Sequence, residues 1–237
     1  MPHFLAGLYE RFGLNAYIQG DSDKALAWFR KLERIDPDSI RTLRNLGVLL
    51  LSVGDAEGAE AYLLREESLY GESFHRHSAL ADVAFARGRR EDAGRRYAAA
   101  LADTDASPNG RYEASLSFLS RRLELCGDEA AFRRACDGKN SFGEAELARE
   151  AGDPERAIAL FEEAARLDPT HWPALNNAGT IALNALDDPD RALALFEKAF
   201  SLARSAQVAR NIELAKAAIA TRAARAEGST RQPRRTS

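Results

Sequence analysis

The sequence predicts an all-α fold, a solenoid of about six helix pairs with a C-terminal capping helix. Three observations carry this. Gly20, Gly54 and Gly88 stand 34 residues apart, and so do Ala25, Ala59 and Ala93. A large apolar residue follows each small alanine four positions on: Phe29, Leu63 and Tyr97, then Phe161 after Ala157 and Phe196 after Ala192. Gly, Pro and β-branched residues are sparse beside Ala, Leu, Arg and Glu, which favours helix. A fixed period of this kind marks stacked units, each needing only its neighbours.

The clearest copy is GDPERAIALFEEAARLDP, from Gly152 to Pro169. Ala157, Phe161, Ala164 and Leu167 follow one another at helical steps and share one face. Gly-Asp opens the turn before the helix and Asp168-Pro169 stops it, because the residue before a proline leaves the helical region.

Read in order, helix one covers 4–19, with Leu5, Leu8, Tyr9, Phe12 and Ala16 on one side. Gly20–Asp23 is a turn, with Ser22 or Asp23 as the candidate N-cap. The second helix runs from Lys24 to Ile35 and ends at Asp36-Pro37. Ile40–Val53 and Glu57–Leu69 form the second pair, Phe74–Arg87 and Arg90–Leu101 the third. In the third turn Gly-Asp becomes Gly88-Arg89, so its capping chemistry differs. These three pairs make up 4–107.

DTDASPNG (103–110) reads as a loop. A degenerate fourth unit spans 108–141, with helices at Tyr112–Leu125 and Asp128–Asp137. Gly138–Ser141 then separates it from a short helix, Phe142–Ala151. The step from Gly127 to Gly152 is only 25 residues, which implies a local break in the repeat, either a functional bend or simple decay. Units five and six fill 142–205. One extra residue sits in the turn Leu186–Pro189. A capping helix covers 206–226, and the basic tail 227–237 lacks an apolar period and is expected to be disordered.

The helix before each glycine carries a companion pattern: Leu43, Asn45, Leu46, Gly47 and Leu50 in one copy, Leu175, Asn177, Ala178 and Gly179 in another. Together these residues resemble the tetratricopeptide repeat, W-x2-L-G-x2-Y…A-x3-F…P over 34 residues. The likeness covers most of 6–205 and departs at the first marked position, where Tyr9, Leu43, His77 and Leu175 replace Trp. It implies a right-handed superhelical solenoid in which small residues let paired helices approach and the large ones fill the gap between one pair and the next. It also implies a non-catalytic, protein-binding role, as adaptor or assembly scaffold.

Composition narrows the field. The net charge of −3 argues against a general nucleic-acid binder. No run of about 20 apolar residues is present, so no membrane span is expected. The start does not read as a signal peptide, so a cytoplasmic location is the default, or a periplasmic or envelope one if a leader precedes it. Cys126 and Cys136 are too few for a disulfide scaffold and read as small buried hydrophobes, with a disulfide or redox pair as the alternative. His75 and His77 are two apart on a helix, a poor metal pair. No phosphate loop, nucleophile elbow or zinc-protease motif occurs. No catalytic residue, metal or cofactor is expected.

In this family the first helix of each pair supplies the inner wall. By that resemblance Leu14, Tyr17, Ile18, Arg41, Arg44, Asn45, Val48, His75, Asp82 and Phe85 are the candidate partner-binding residues. Such a wall suits a peptide segment with an acidic element, apolar groups giving affinity and arginines gripping carboxylates. Farther on, Arg121, Glu124, Phe142, Glu146, Arg149, Asn176, Thr180 and Arg210 occupy comparable positions. Some members clamp a C-terminal carboxylate with Lys, Asn and Arg. Here Asn45 matches one clamp position, but Glu10, Leu14, His75 and Ala79 stand where others belong, so that clamp is incomplete. The alternatives to an adaptor are a homo-oligomer joined through the apolar N-terminal helix (Phe4, Leu5, Leu8, Phe12, Leu14), and a chaperone for an exported client.

Overall fold

A computed structural model describes residues 2–103 and 113–230. Among them are twelve helices and no strand: α1 (Pro2–Ile18), α2 (Ser22–Ile35), α3 (Ile40–Ser52), α4 (Ala56–Tyr70), α5 (Phe74–Ala86), α6 (Arg90–Ala102), α7 (Glu113–Gly127), α8 (Glu129–Glu150), α9 (Pro154–Leu167), α10 (Trp172–Asn184), α11 (Pro189–Leu202) and α12 (Ala206–Thr230). They form two compact units, Met1–Cys136 and Asp137–Ser237. In the first, α1 pairs with α2, α3 with α4 and α5 with α6, and α7 packs on α6. In the second, α10 pairs with α11, with α9 on one side and α12 on the other.

The turns inside the pairs explain the glycine period. Gly20, Gly54, Gly88 and Gly152 all have φ between 72° and 91°, a region that favours glycine. The next residue caps the following helix. Asp21 accepts from the Lys24 N–H at 3.1 Å, Asp55 from Gly58 at 2.8 Å and Asp153 from Arg156 at 3.1 Å. The α2 cap is therefore Asp21, not Ser22 or Asp23. The chain leaves the left-handed glycine with the very next side chain already aimed at the third N–H of the helix. Arg89 makes no such bond, as the altered third turn implies. At the longer sixth turn Asp187 takes the positive φ and Asp188 caps.

Small residues bring the two helices of a pair together. A Cβ on Gly13 would lie 2.4 Å from the Phe29 ring, one on Gly47 2.7 Å from Leu63, and one on Gly179 2.6 Å from Phe196. The large residue thus sits against its own partner helix first. Phe29 also reaches the next pair, in a cluster with Leu46 and Leu49. Gly13 is the first pair's small residue, which the sequence reading passed over.

Two expectations change. The helices expected at Asp128–Asp137 and Phe142–Ala151 are one continuous helix, α8, running through Gly138. Gly138 is no breaker here. Its missing side chain lets α8 approach α9, since a Cβ would stand 3.0 Å from the Ala164 carbonyl oxygen. The boundary between the two units falls inside this helix, at Cys136/Asp137. The terminal helix reaches Thr230, past the expected end at 226. Most of the expected 103–110 loop, Tyr112, and the tail arginines Arg231, Arg234 and Arg235 lie outside the described residues. No helix among the described residues is long and apolar enough to cross a membrane.

The pair contact sets a stability test within the second unit. Gly179→Ala is expected to lose about 1–3 kcal/mol by overpacking against Phe196. Gly143→Ala in α8, with nothing within 4 Å of its Cβ, is expected to gain about 0.5–1 kcal/mol. Urea denaturation of the two variants checks both signs.

Candidate functional site

The expected wall lies on α1, α3 and α5, and the structure sorts its residues into three kinds. Leu14 and Val48 are exposed, each at 39 %. They are 34 residues apart, so they hold the same position on successive first helices. Tyr17 and Ile18 are half-buried beside Leu14. The Tyr17 hydroxyl meets Ser52, and burial pushes its pKa up.

The polar residues are paired within the fold. Glu10 of α1 accepts from Arg41 at 3.3 Å and from the Asn45 amide at 3.4 Å. An internal carboxylate therefore already occupies the one matching clamp residue. Arg44 donates to Glu66 at 2.6 Å, and Arg76 donates to the same oxygen at 3.1 Å. Glu66 is fully buried. Arg76 also binds the Tyr70 carbonyl at 3.1 Å and the Gly71 carbonyl, closing the end of α4. Thr42 does the same one pair earlier, donating to the Asp36 carbonyl at 2.6 Å. Arg44 is thus already paired within the fold.

Phe85 is at 5 % exposure and belongs to the core. Its ring packs edge-on against Tyr97 and Phe132, and the Arg122 guanidinium lies 3.9 Å from its centre. Asp82 accepts from the buried Tyr97 hydroxyl at 2.6 Å. His75 is exposed. Local burial, then the charge of Arg44, hold its pKa below the usual histidine value.

In the second unit Glu146 accepts from Asn177 at 2.9 Å and from Arg149 at 2.8 Å. Asn176 is buried and accepts from Asn211 at 2.9 Å. Phe142 packs on Phe161 and stacks on His171, so it is mostly core. Thr180 is half-buried and Arg210 exposed, as are Arg121 and Glu124 in the first unit. Cys126 and Cys136 stand as thiols on one apolar cluster, and burial raises the Cys126 pKa to about 11, far from a reactive thiolate.

Family models described as tetratricopeptide repeat match residues 6–39, 75–99 and 142–201. The chain belongs to the tetratricopeptide repeat family. Solved structures similar to this repeat protein include MamA from Desulfovibrio magneticus RS-1, 18 % identical with a TM-score of 0.44, covering 84 % of this chain and 96 % of that one. Another is pilF of Pseudomonas aeruginosa, 15 % identical with a TM-score of 0.45, covering 92 % and 90 %. A third is YrrB, described as a repeat protein with an unusual peptide-binding site, 16 % identical with a TM-score of 0.41, covering 86 % and 90 %. No curated protein sequence matches the chain.

The sequence reading missed Glu66 and used Glu10 only as a mismatch in a clamp. A signal existed for Glu66. Residues 32, 66 and 100 share one repeat position, and Leu32 and Ala100 flank the lone acid. Removing one partner from a buried charge set strands the other. Glu66→Ala is expected to lose about 3–5 kcal/mol in denaturant melts, and Arg44→Ala much less because Arg76 remains.

His75 gives a pH test. Its pKa is lowered in the folded state, so the unfolded chain binds more protons below about pH 6.5. His75 therefore subtracts stability as pH falls through that value. His75→Gln is expected to flatten this part of the stability–pH curve. An unchanged slope in melts from pH 7.5 to 5 would count against it.

Proposed function

We propose that this chain is a non-catalytic interaction scaffold whose α1/α3/α5 wall receives a segment of a protein partner. The observation that carries the reading is the pair Leu14 and Val48. Two apolar side chains are left in water at one repeat position on successive first helices. Apolar side chains held in register on rigid helices make a receiving strip for alternate residues of a bound segment.

Charge selects the segment. Arg44 and Arg76 face the single carboxylate of Glu66, which leaves one positive charge beneath the wall. The Arg41–Glu10 pair is neutral as a unit. Burial first and Arg44 next hold the His75 pKa down, while Glu66 and Asp103 act the other way. An acidic residue of the partner set between Arg44 and His75 would meet that excess. Exposed Arg41 adds a second approach on α3.

The wall variant is Leu14→Asp with Val48→Asp. Both residues are exposed, so the fold should survive. Affinity capture from the source cell with wild type and variant side by side, read by mass spectrometry, is expected to yield a protein held by the first and lost by the second. The same partner recovered equally by both would sink the wall assignment. Arg41→Ala is expected to weaken capture with little change in the melt, since its pair with Glu10 is largely exposed. The Arg44→Glu change is unsuitable for this purpose, because it sets a second carboxylate against buried Glu66.

A further inference from the structure

We infer that the outer face of α1, with the Trp28 face of α2 beside it, is a second docking surface, and that its occupant is an amphipathic helix of a protein partner with an acidic margin. The repeat shows what belongs there. Residues 8, 42 and 76 share one position of the first helices, and residues 12, 46 and 80 share another. On α3 and α5 both positions are buried: Thr42, Leu46, Arg76 and Leu80. What covers them is the second helix of the preceding pair. Leu46 sits in one cluster with Phe29 and Leu32 of α2, and Leu80 in one with Ala59 and Leu63 of α4. On α1 the same face is open. Phe12 is 39 % exposed, Leu8 is only half-buried, and Phe4, one turn earlier, is 75 % exposed. The α2–α3 and α4–α5 contacts thus continue onto α1 as a half-interface shaped for a helix.

Aromatic rings and charge define the margin. Trp28 lies against Phe12 with ring centres 4.9 Å apart and against Tyr9 at 5.7 Å, so the patch extends from α1 onto α2. Lys24 and Lys31 stand one helical turn to either side of Trp28, and the Lys31 ammonium lies 3.9 Å from the centre of its ring. Arg11 is exposed on the α1 stripe between Leu8 and Phe12. Two copies meeting face to face here would oppose these cations, which disfavours a second copy of this chain. An anionic lipid surface matches the charge but not the helix-shaped face that α3 and α5 display.

The chain contains a natural probe. Helix α4 covers the equivalent face of α5 and carries Glu57, Glu60, Glu66 and Glu67 against Arg65. A synthetic peptide of residues 56–70 with Glu66→Leu, which restores the leucine found at this position in α2, is titrated into the full chain. Binding is followed by the indole N–H resonance of Trp28. The expected result is saturable binding, at least tenfold weaker for Phe4→Asp/Phe12→Asp and at least tenfold weaker for a peptide whose Glu57, Glu60 and Glu67 are lysines. Should the double variant fail to fold, Phe4→Asp alone serves, since that ring is mostly in water.

Absence of binding to wild type would overturn the proposal, as would equal affinity for the variant or for the lysine peptide. Self-association of wild type lost in the variant would assign the face to a second copy instead. Binding to phosphatidylserine vesicles lost in the variant, without peptide binding, would assign it to a lipid surface.

Discussion

Everything in this chain depends on how closely the two helices of a pair can approach. In three pairs a glycine on the first helix faces a large side chain on the second: Gly13 and Phe29, Gly47 and Leu63, Gly179 and Phe196. A Cβ at any of them would fall inside contact distance. Close approach fixes the reach of the turn, and that turn needs a left-handed glycine followed by a capping aspartate. Once both are fixed, positions 34 apart take the same place in their units. Leu14 and Val48 face water together for that reason, and Leu46 and Leu80 are covered together.

One polar cluster interrupts this apolar repeat. Glu66 replaces the apolar residue found at positions 32 and 100, and Arg76 stands where Thr42 does. A buried ion cluster seldom adds net stability, because desolvation offsets the Coulomb gain. Here the second Glu66 oxygen has no hydrogen-bond partner among the described residues, which deepens the cost. The return is positional. Arg76 is held where it can satisfy the last carbonyls of α4, a task that the hydroxyl of Thr42 performs for α2. The same carboxylate orients Arg44 at the wall.

The repeat was legible because it is local and periodic. Small and large residues four apart declare the second helices, and the glycines declare the turns. Contacts between residues far apart in sequence were not legible. Nothing near Arg44 announces a buried partner 22 residues on, and nothing near Phe85 announces Phe132. Hence Phe85 lies in the core, and Arg41, Arg44, Asn45 and Asp82 already hold partners within the fold. Gly138 was misread because glycine has two uses, breaking a helix or admitting a neighbour, and only the position of α9 decides between them. The Asp21 cap shows the same limit on a small scale, since three consecutive residues could cap and the backbone angle at Gly20 selects one.

The pairing of polar groups on the wall bears on how it would recognise a partner. A free arginine loses rotamer freedom on binding, at about 0.5–1.5 kcal/mol per side chain. Arg44 has already lost that freedom in folding, because Glu66 holds its guanidinium. Its charge is still not cancelled, since Arg76 shares the same carboxylate oxygen. An incoming carboxylate would therefore meet an oriented donor with uncompensated charge, within a chain whose overall charge is −3. The negative remainder disfavours acidic segments elsewhere on the surface. Local excess against global deficit would give the proposed wall its selectivity. The apolar pair Leu14 and Val48 would supply contact area beside it.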